Sequence, residues 1–538
     1  MRKRSPWFYI CLHFAIALLV GIVLGSIVQT QINLAALTDM GVEISTFRRV
    51  MTTLWDLVTF SPIYALLFSV GFIVSQAGGL LVSRLTLAGR YRLLLCPLLA
   101  VAALFLTVHL VNHFAPMPTL VAATRTTLGF FAMLLSAAVA GLVLALLRGR
   151  GHHRVHAARA GSAAILALAA GGVATALPPE ALAEEPSSTA YRLETVAEGL
   201  EHPWSLAFLP DGRMLVTERP GRLRVVTLDG EVSDPIADVP TVFASGQSGL
   251  FDVLLSKDFA EDQTLFLSFA CGDLAANHAC LARARLAGDR LEQVEEIFRT
   301  SPAKRGDAHY GGRLAWLDDD TLILTLGDGF DYREQAQNNA SHLGTIVRLN
   351  VDGSAPRDNP FVNEDDARPE IYSYGHRNVQ GLVVDNEGHI ITHEHGPRGG
   401  DEINLITPGA NYGWPIATTG LDYTGARVTP FTEYPGTEAP LLEWTPSIAP
   451  SGLTRYDGEL FPGWQGDLLV GALVNREVRR VTLSDDLTEA RDMEGLFGEL
   501  EERIRDVRTG PDGAVYLLTD SPEGRLVRVV PATAGGQP

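Results

Sequence analysis

Lysine is almost missing from this chain of 538 residues. Only Lys3, Lys257 and Lys304 occur, so arginine supplies nearly all of the positive charge. The net charge is −19, and because residues 1–182 are basic, the remainder carries about −28. A domain that acidic repels the phosphates of nucleic acid, so we exclude a nucleic-acid partner. It suits small neutral ligands or a basic protein partner.

Cysteine is also scarce, with four residues and no CxxC pair. Cys11 and Cys96 lie in apolar runs, where a thiol is ordinary apolar filling. Cys271 and Cys280 bracket the short loop GDLAANHA. We expect these two to form a disulfide, since that part of the chain is predicted below to lie outside the cytoplasm. Metal binding by only two thiols is the weaker alternative.

Long apolar runs are confined to the first third of the chain. They cover about 8–29, 57–82, 93–113 and 127–147, each near the roughly 20 residues that cross a bilayer as a helix. Arginines and Lys3 cluster before the first run, after the second and after the fourth. The positive-inside rule places such clusters in the cytoplasm. We therefore predict a four-helix transmembrane domain over residues 1–160, in contact with membrane lipid.

A fifth, shorter apolar run covers about 161–177, within a segment 161–190 that is either a fifth span or signal-like. Small residues follow it, and cleavage near Ala181 or Ala183 would release the rest of the chain. We favour a retained anchor. Both alternatives put the following domain on the outer side, so the chain is predicted to be a multi-pass membrane protein whose larger domain lies outside the cytoplasm. The family resemblance described below implies that this is the periplasmic side of a bacterial inner membrane.

From Tyr191 onward, short β-rich runs alternate with turn clusters and no long helical period appears. One phrase recurs in altered form, as LPDGRMLVTERPGRLRVV from Leu209, LDDDTLILTLGDG from Leu317, VDNEGHIITHEHG from Val384 and GPDGAVYLLTD from Gly510. A spacing of roughly 50 residues, or a multiple of it, is typical of four-stranded propeller blades. Residues 191–533 are thus predicted to form an all-β six-bladed β-propeller, and a β-sandwich array fits less well.

The segment EHGPRGGDEINLITPGANYGWP, residues 394–415, is rich in turn residues and leaves many backbone carbonyls free of regular structure. Carbonyl oxygens together with a carboxylate are the ligands that calcium takes, six to eight at a time. The simpler interpretation is an acidic turn between two strands. The neighbouring motifs decide between the two.

Three further motifs carry candidate functional side chains. His309 stands before two glycines, which allow close backbone approach by a ligand. In YSYGHRNVQ, Arg377 and Asn378 form a donor-rich patch, or else a solvated hairpin tip. Arg503 and Arg505 are two apart, so on a strand they point the same way and suit an anionic ligand with planar carboxylates. Salt bridges to acidic residues are the simpler alternative for this pair.

With these motifs in place, the chain closely resembles the PQQ-dependent aldose sugar dehydrogenases of the glucose/sorbosone type. The likeness runs from about Leu193 to Val530. It includes SGQSGLFDV, HYGGRL, LGTIVRLNVDGSAPRDNPF, GHRNVQGL, EHGPRGGDEINLI, GANYGWP, WTPSIAPSG and RIRDVRTGPDG. The family's fold is a six-bladed propeller, which agrees with the repeat.

The resemblance implies roles for particular positions. His309 matches the catalytic base that takes the proton from the anomeric hydroxyl of an aldose. The positions that match PQQ contacts are Gln247, Arg377, Asn378, Tyr423, Arg503 and Arg505. Gly396 and Pro397 match a turn whose carbonyls bind the calcium beside PQQ, and Glu402 with the carbonyl of Tyr412 matches a second, structural calcium.

The implied reaction is oxidation of an aldose at C1 to the lactone, with hydride passed to PQQ and electrons then passed to a quinone or cytochrome. Two positions depart from the family pattern: Ala308 replaces an Asp of glucose-specific members, and Val474 replaces a Lys of some members. The alternative functions are a non-catalytic propeller that binds glycan or protein, and a calcium-dependent lactonase-type hydrolase. His109 and His113 share a helix face in the third apolar run, but we favour a simple anchor over a haem or quinone site there.

Overall fold

The computed structural model of the chain describes residues 6–85, 91–114, 119–149 and 190–532. These residues divide into two compact units. The first contains the described parts of Met1–Ile32, Thr53–Phe114 and Val121–Pro186, and the second those of Asn33–Thr52, Ala115–Leu120 and Ser187–Pro538. The fifth apolar run, at 161–177, lies outside the described residues, so a fifth span or a cleavage site remains a prediction.

In the part of the chain that the structure describes, four long helices match the four predicted apolar runs. By length and composition each is able to cross a membrane. They are α1 Pro6–Asp39, α3 Ser61–Leu85, α4 Arg92–Phe114 and α5 Thr127–Gly149. Helix α1 continues ten residues past the end of its apolar run, through TQINLAALTD, because those residues are acceptable in a helix although they are more polar.

Close packing of α1 against α3 depends on two glycines of α1. A side chain at Gly21 would collide with the ring of Phe68, and one at Gly25 with the ring of Tyr64. Phe60, Tyr64, Phe68 and Phe72 recur every four residues and form a ladder of neighbouring rings. Small residues that let a partner approach are the usual means by which helices associate in a membrane.

Hydropathy did not predict α2, Thr46–Thr59. Its buried side is polar: Asp56 accepts a hydrogen bond from Thr30 Oγ1 at 2.7 Å, and Thr53 Oγ1 accepts one from Gln31 Nε2 at 2.9 Å. Its exposed side is apolar, the reverse of a helix in water. The exposed apolar residues are Phe47, Val50, Met51, Leu54, Trp55 and Val58.

His109, on α4, is engaged with aromatic neighbours. Its Nδ1 lies 2.8 Å from the carbonyl oxygen of Phe105, and its ring stacks on Phe105 at 4.1 Å between centroids. Phe130 lies edge-on to it at 5.8 Å. These contacts define the packing of His109 within the helices, and the simple anchor stays a prediction.

The described residues of the second unit form six antiparallel sheets, which confirms the predicted six-bladed propeller. Apolar strands between Asp/Gly turns form each sheet, and the first strands of neighbouring blades pack against one another. The ring closes because the N-terminal strand pairs with the last one, Tyr191 opposite Pro531. The strands are β1 Tyr191–Leu200, β2 Pro203–Phe208, β3 Met214–Glu218, β4 Arg222–Val226, β5 Leu250–Leu255, β6 Thr264–Gly272, β7 Asn277–Ala287, β8 Arg290–Arg299, β9 Gly311–Trp316, β10 Leu322–Leu326, β11 Thr345–Leu349, β12 Ile371–Tyr374, β13 Val379–Val384, β14 Ile390–Glu394, β15 Asp401–Ile406, β16 Leu442–Trp444, β17 Pro450–Arg455, β18 Leu468–Ala472, β19 Glu477–Leu483, β20 Ala490–Leu496, β21 Ile504–Thr509, β22 Val515–Thr519 and β23 Gly524–Pro531.

One blade differs from the four-stranded expectation. The sheet β2–β3–β4 has three strands among the described residues. Beyond β4 the chain still bonds to it, through Ser233 N to Val225 O and Ile236 N to Leu223 O. Pro235 and Pro240 interrupt this stretch, and because proline has no N–H group it does not extend a strand ladder.

The predicted disulfide is confirmed. Cys271 on β6 and Cys280 on β7 are bonded, with 6.1 Å between their Cα atoms. Both cysteines are buried. The bond joins the end of β6 to the start of β7, the two inner strands of this blade.

Candidate active site on one face of the propeller

Four of the predicted site residues come from loops that enter the first strand of different blades. Gln247 precedes β5, His309 precedes β9, Asn378 precedes β13 and Arg503 precedes β21. The first strands of a propeller all run in the same direction, so their starting ends share one face. The ring therefore brings residues from four blades to the same face of the molecule.

His309 is held in a fixed, buried position. Its backbone adopts the left-handed conformation with φ 53°, and its N–H group donates to Gln247 Oε1 at 3.0 Å. Only 4% of the residue is exposed. Gly311, also left-handed, donates its N–H group to Asn378 Oδ1 at 3.1 Å. Gln247 and Asn378 thus hold the backbone on either side of the histidine.

Asp328, which the sequence did not single out, orients the imidazole of His309. Its Oδ1 lies 2.7 Å from His309 Nδ1 and also accepts the N–H group of Phe330 at 2.7 Å, while Oδ2 accepts Trp414 Nε1 at 2.8 Å. A carboxylate that is acceptor-only places the imidazole proton on Nδ1 and leaves Nε2 with its lone pair. The recurring phrase LGDG contained this residue and was the only sequence signal for it.

The electrostatic surroundings keep His309 neutral. Burial and then the charge of Arg377 lower its pKa below 6.5, and Asp328 opposes them without reversing the shift. Burial acts to raise the pKa of Asp328, but His309 and Arg377 outweigh it and the net pKa is lowered. At neutral pH the pair is therefore a carboxylate hydrogen-bonded to a neutral imidazole, the arrangement of a general base.

Arg377 connects several predicted positions. Its Nη1 donates to the carbonyl of Gly396 at 2.7 Å and to that of His395 at 3.0 Å. Its Nη2 lies 3.5 Å from the hydroxyl of Tyr423. Its guanidinium lies 5.3 Å from the ring centroid of Trp414. A positive group, an aromatic surface and the predicted calcium turn are therefore adjacent.

Arg503 and Arg505 point the same way, as their spacing predicts, but toward an acid that the sequence did not suggest. Both bond to Asp520 Oδ2, at 3.3 and 2.8 Å. Arg219 lies in the same field, since the charges of Asp520, Arg505 and Arg503 act on its pKa, which burial lowers. Three guanidiniums around one carboxylate leave an excess of positive charge.

Lys304, also missed by the sequence analysis, is buried beside this face. Its ammonium lies 3.6 Å from the ring centroid of Tyr310, within the range of a cation–π interaction. Burial lowers its pKa to about 7, although Asp307, Asp328 and Asp331 act to raise it. It adds a titratable positive group to the surroundings of the His309–Asp328 pair.

The predicted calcium turn at Gly396 and Pro397 is fixed by Asp401. Asp401 Oδ1 accepts the N–H group of Gly396 at 2.9 Å, and Oδ2 accepts the N–H groups of Ile448 and Ala449 at 2.8 and 3.0 Å. Its oxygens are occupied by these backbone donors. Asp401 therefore holds the turn in shape. The carbonyl of Gly396 accepts Arg377 Nη1, so a calcium ion at this turn would have to share or displace that contact, and the calcium site stays a prediction.

Glu402 has the surroundings of an ion ligand. It lies directly opposite Glu394 on the neighbouring strand, and Asn404 Nδ2 donates to both carboxylates at 3.3 Å. Burial, and then the charge of Glu394, raises the pKa of Glu402 well above 4.5. Asn404 Oδ1 is buried without a hydrogen-bond partner. Two acids and an orphaned oxygen fit a calcium ion, which would relieve their repulsion.

Tyr412, the other residue predicted at this second ion, has a well-defined position. Its hydroxyl donates to the carbonyl of Leu405 at 2.6 Å, and its ring stacks on His376 at 4.7 Å. His376 Nδ1 in turn lies 2.8 Å from Glu394 Oε1. The loop and the acidic pair thus form one buried cluster.

The donor set also fits PQQ, an anion with three carboxylates and an ortho-quinone. Arg377, Arg503 and Arg505 supply guanidiniums, and Tyr423 and Trp414 supply ring surfaces. The two departures from the family pattern contrast in their environment: Ala308 is buried, whereas Val474 is 59% exposed. Neither removes a group from the His309–Asp328 pair.

A propeller with a buried histidine–carboxylate pair and an arginine-rich face is characteristic of an enzyme that binds an anionic ligand next to a general base. The sequence model of the family described as Glucose / Sorbosone dehydrogenase matches residues 200–528, and the chain belongs to that family. The resemblance predicted from the motifs is thereby confirmed.

Individual relatives cover the propeller part of the chain. Aldose sugar dehydrogenase YliI of Escherichia coli is 40% identical over 63% of this chain and 92% of its own length. A structure of the soluble aldose sugar dehydrogenase of E. coli in the apo-form matches with a TM-score of 0.62, 39% identity, and coverage of 64% of this chain and all of that one. The PQQ-bound form of an aldose sugar dehydrogenase from Streptomyces coelicolor matches with a TM-score of 0.52 and 28% identity, over 63% of this chain and 99% of that one.

Proposed function

We propose that the propeller oxidises an aldose at C1 to the lactone, using PQQ and calcium. The observation that carries the proposal is the neutral His309 held by Asp328 at 2.7 Å beside Arg377. Family membership and the PQQ-bound relative from S. coelicolor support the choice of cofactor. Bound PQQ would accept the hydride from C1, with calcium polarising its carbonyl as a Lewis acid.

The chain's own residues supply the remaining steps. His309 Nε2 takes the proton of the anomeric hydroxyl, and Asp328 stabilises the imidazolium that forms. Such a base contributes roughly 10²–10⁴-fold in rate. Arg377, Arg503 and Arg505 would hold the cofactor carboxylates, and Gln247, Asn378 and Tyr423 would complete the pocket. Gly396 and Pro397 would present carbonyls to one calcium ion, and Glu402 with the Tyr412 carbonyl would bind the other.

We further propose that the catalytic unit faces the periplasm from a multi-pass inner-membrane domain. The Cys271–Cys280 bond supports this, because structural disulfides persist in oxidising compartments. The four apolar helices would anchor the enzyme in lipid, near a quinone or cytochrome that receives the electrons.

The two competing functions fit the site less well. A propeller that only binds glycan or protein does not require the His309–Asp328 pair. A lactonase-type hydrolase requires acidic metal ligands that converge on the central channel. The central acids Asp252 and Asp506 instead pair with Arg508, at 3.3 and 2.9 Å.

The test is dye-linked oxidation of a panel of aldoses by the full chain in detergent, with and without added PQQ and calcium. We expect activity only when both are present. Lactone hydrolysis without PQQ would favour the hydrolase, and PQQ binding or glycan binding without turnover would favour the non-catalytic propeller. Absence of both PQQ binding and sugar oxidation refutes the proposal.

A further inference from the structure

Two residues of the N-terminal part belong to the same compact unit as the propeller. Asn33 and Thr119 lie in the segments Asn33–Thr52 and Ala115–Leu120, which the fold groups with Ser187–Pro538. The match to the family begins only at residue 200, so neither residue lies in the matched region. Both bond to loops of the candidate site.

Asn33 clamps the loop that carries Tyr423. The residue is 2% exposed. Its Nδ2 donates to the carbonyl of Arg427 at 3.1 Å, and its Oδ1 accepts Arg333 Nη2 at 2.9 Å. Arg333 in turn pairs with Asp422 at 3.4 Å. Asn33 thus contacts both ends of the turn from Asp422 to Arg427. It bonds directly to Arg427, and it reaches Asp422 through the buried guanidinium of Arg333.

Thr119 reaches the other half of the same aromatic pair. Its Oγ1 donates to Asp331 Oδ2 at 3.0 Å. Asp331 directly follows Phe330, whose ring is nearly parallel to that of Tyr423, at 6.3 Å between centroids and 10° between planes. Phe330 also lies edge-on to His309 at 5.1 Å. Asn33 and Thr119 therefore each bond beside one member of the Phe330–Tyr423 pair.

Apolar packing supports these polar contacts. Within the same unit, Leu34, Leu37 and Val42 form a buried cluster with Ile416 and Phe431. Ile416 and Phe431 flank the Tyr423 turn in sequence. A covered, hydrogen-bonded turn has less conformational freedom to lose when a ligand binds, which strengthens binding.

We propose that Asn33 and Thr119 are positioning residues that hold the Phe330–Tyr423 pair at the rim of the site and thereby set how tightly the cofactor is retained. The cofactor part of this inference rests on the proposed function, whereas the positioning part does not. If the N-terminal segments did not order the Tyr423 turn beforehand, the free-energy cost of ordering it would reduce the affinity for the cofactor.

The test uses the full chain with Asn33→Ala and Thr119→Val, and with Thr38→Val as the matched control. Thr38 lies in the same helix but bonds to the carbonyl of Leu34 at 2.8 Å and not to a propeller loop. In Asn33→Ala without cofactor, the hydrogen-exchange rate of the Asp422 amide should rise about tenfold or more, and in the control it should not. This amide reports on the turn because it donates to the carbonyl of Ala426. Unchanged exchange overturns the inference.

Calorimetric titration with PQQ and calcium provides the second readout. We expect the dissociation constant to rise about tenfold in each variant. Asn33→Ala loses the hydrogen bonds to Arg333 and to the Arg427 carbonyl, and Thr119→Val loses the one to Asp331. Turnover at saturating PQQ should stay within about twofold, and Asn33→Asp, which keeps an acceptor for Arg333, should recover part of the affinity. Unchanged PQQ affinity in both variants overturns the inference that these residues affect cofactor binding. If the unaltered protein does not bind PQQ, the proposed function is refuted, and the hydrogen-exchange result alone decides whether Asn33 positions the turn.

Discussion

Replacing Asp328 by Asn tests the proposed base most directly. The carboxylate accepts three donors, from His309 Nδ1, Phe330 N and Trp414 Nε1, at 2.7, 2.7 and 2.8 Å. Asn keeps one acceptor oxygen, and its NH₂ group faces either His309 and Phe330 or Trp414, depending on its orientation. Each charge-assisted bond lost costs about 1.5–3 kcal/mol. If the amide faces Nδ1, the imidazole must move its proton to Nε2, where it no longer acts as a base.

We therefore expect kcat for aldose oxidation to fall about 10²–10⁴-fold in Asp328→Asn, the whole contribution of a general base. The acid limb of the pH profile should also move. Asp328 raises the pKa of His309 against burial and Arg377, so its removal lowers that pKa further. Activity that remains should accordingly persist to lower pH than in the unaltered enzyme.

The assay is dye-linked turnover from about pH 4 to pH 9, a range that spans histidine titration, with PQQ affinity measured separately. Asp307→Asn is the matched control, because Asp307 accepts a bond from Ser245 Oγ at 2.8 Å and is not bonded to His309. If Asp328→Asn keeps its turnover within twofold of the unaltered enzyme and the acid limb of its pH profile does not move, the proposed role of the His309–Asp328 pair is refuted.

Three more outcomes are expected. His309→Gln should still bind PQQ while turnover falls about 10²–10⁴-fold, and unchanged turnover would clear His309 of its role. Burial and then the charge of Glu394 raise the pKa of Glu402 above 4.5, so in the calcium-free protein the contribution of this group to stability is present at low pH and is lost as the pH rises through the raised pKa. Thermal unfolding should show that loss reduced in Glu402→Gln, and calcium should fail to restore the stability of this variant; equal pH profiles for the two proteins would contradict the assignment. Removing the disulfide with Cys271→Ala and Cys280→Ala should lower the free energy of unfolding by about 2–4 kcal/mol in denaturant titrations, whereas Cys11→Ala should leave it unchanged.

The parts of the fold that follow from local patterns were predictable. Apolar runs of about 20 residues identified the four long helices, and the Asp/Gly-plus-strand phrase identified the propeller. Ordered motifs such as HYGGRL and GHRN marked His309 and Arg377 as candidate site residues. In each case the information lies within a few neighbouring residues.

The missing parts depend on partners that are distant in sequence. Nothing beside His309 in the chain indicates Asp328, and nothing beside Arg505 indicates Asp520, because the ring brings these pairs together. Helix α2 escaped the hydropathy analysis because its polar groups, such as Asp56, point inward and its apolar groups outward. The contacts of Asn33 likewise connect positions separated by most of the chain.

Ring closure by β1 also sets the order of events during synthesis. Tyr191 pairs with Pro531, and at about 5–20 residues per second the roughly 340 residues between them take about 17–70 s to make. Throughout that time β1 is a strand without its neighbour, and an unpaired strand recruits other chains unless charges protect it. Arg192, Glu194 and Glu198 are spaced along β1. The strand that closes the ring, β1, must therefore avoid aggregation for the longest time before its partner strand β23 has been synthesised.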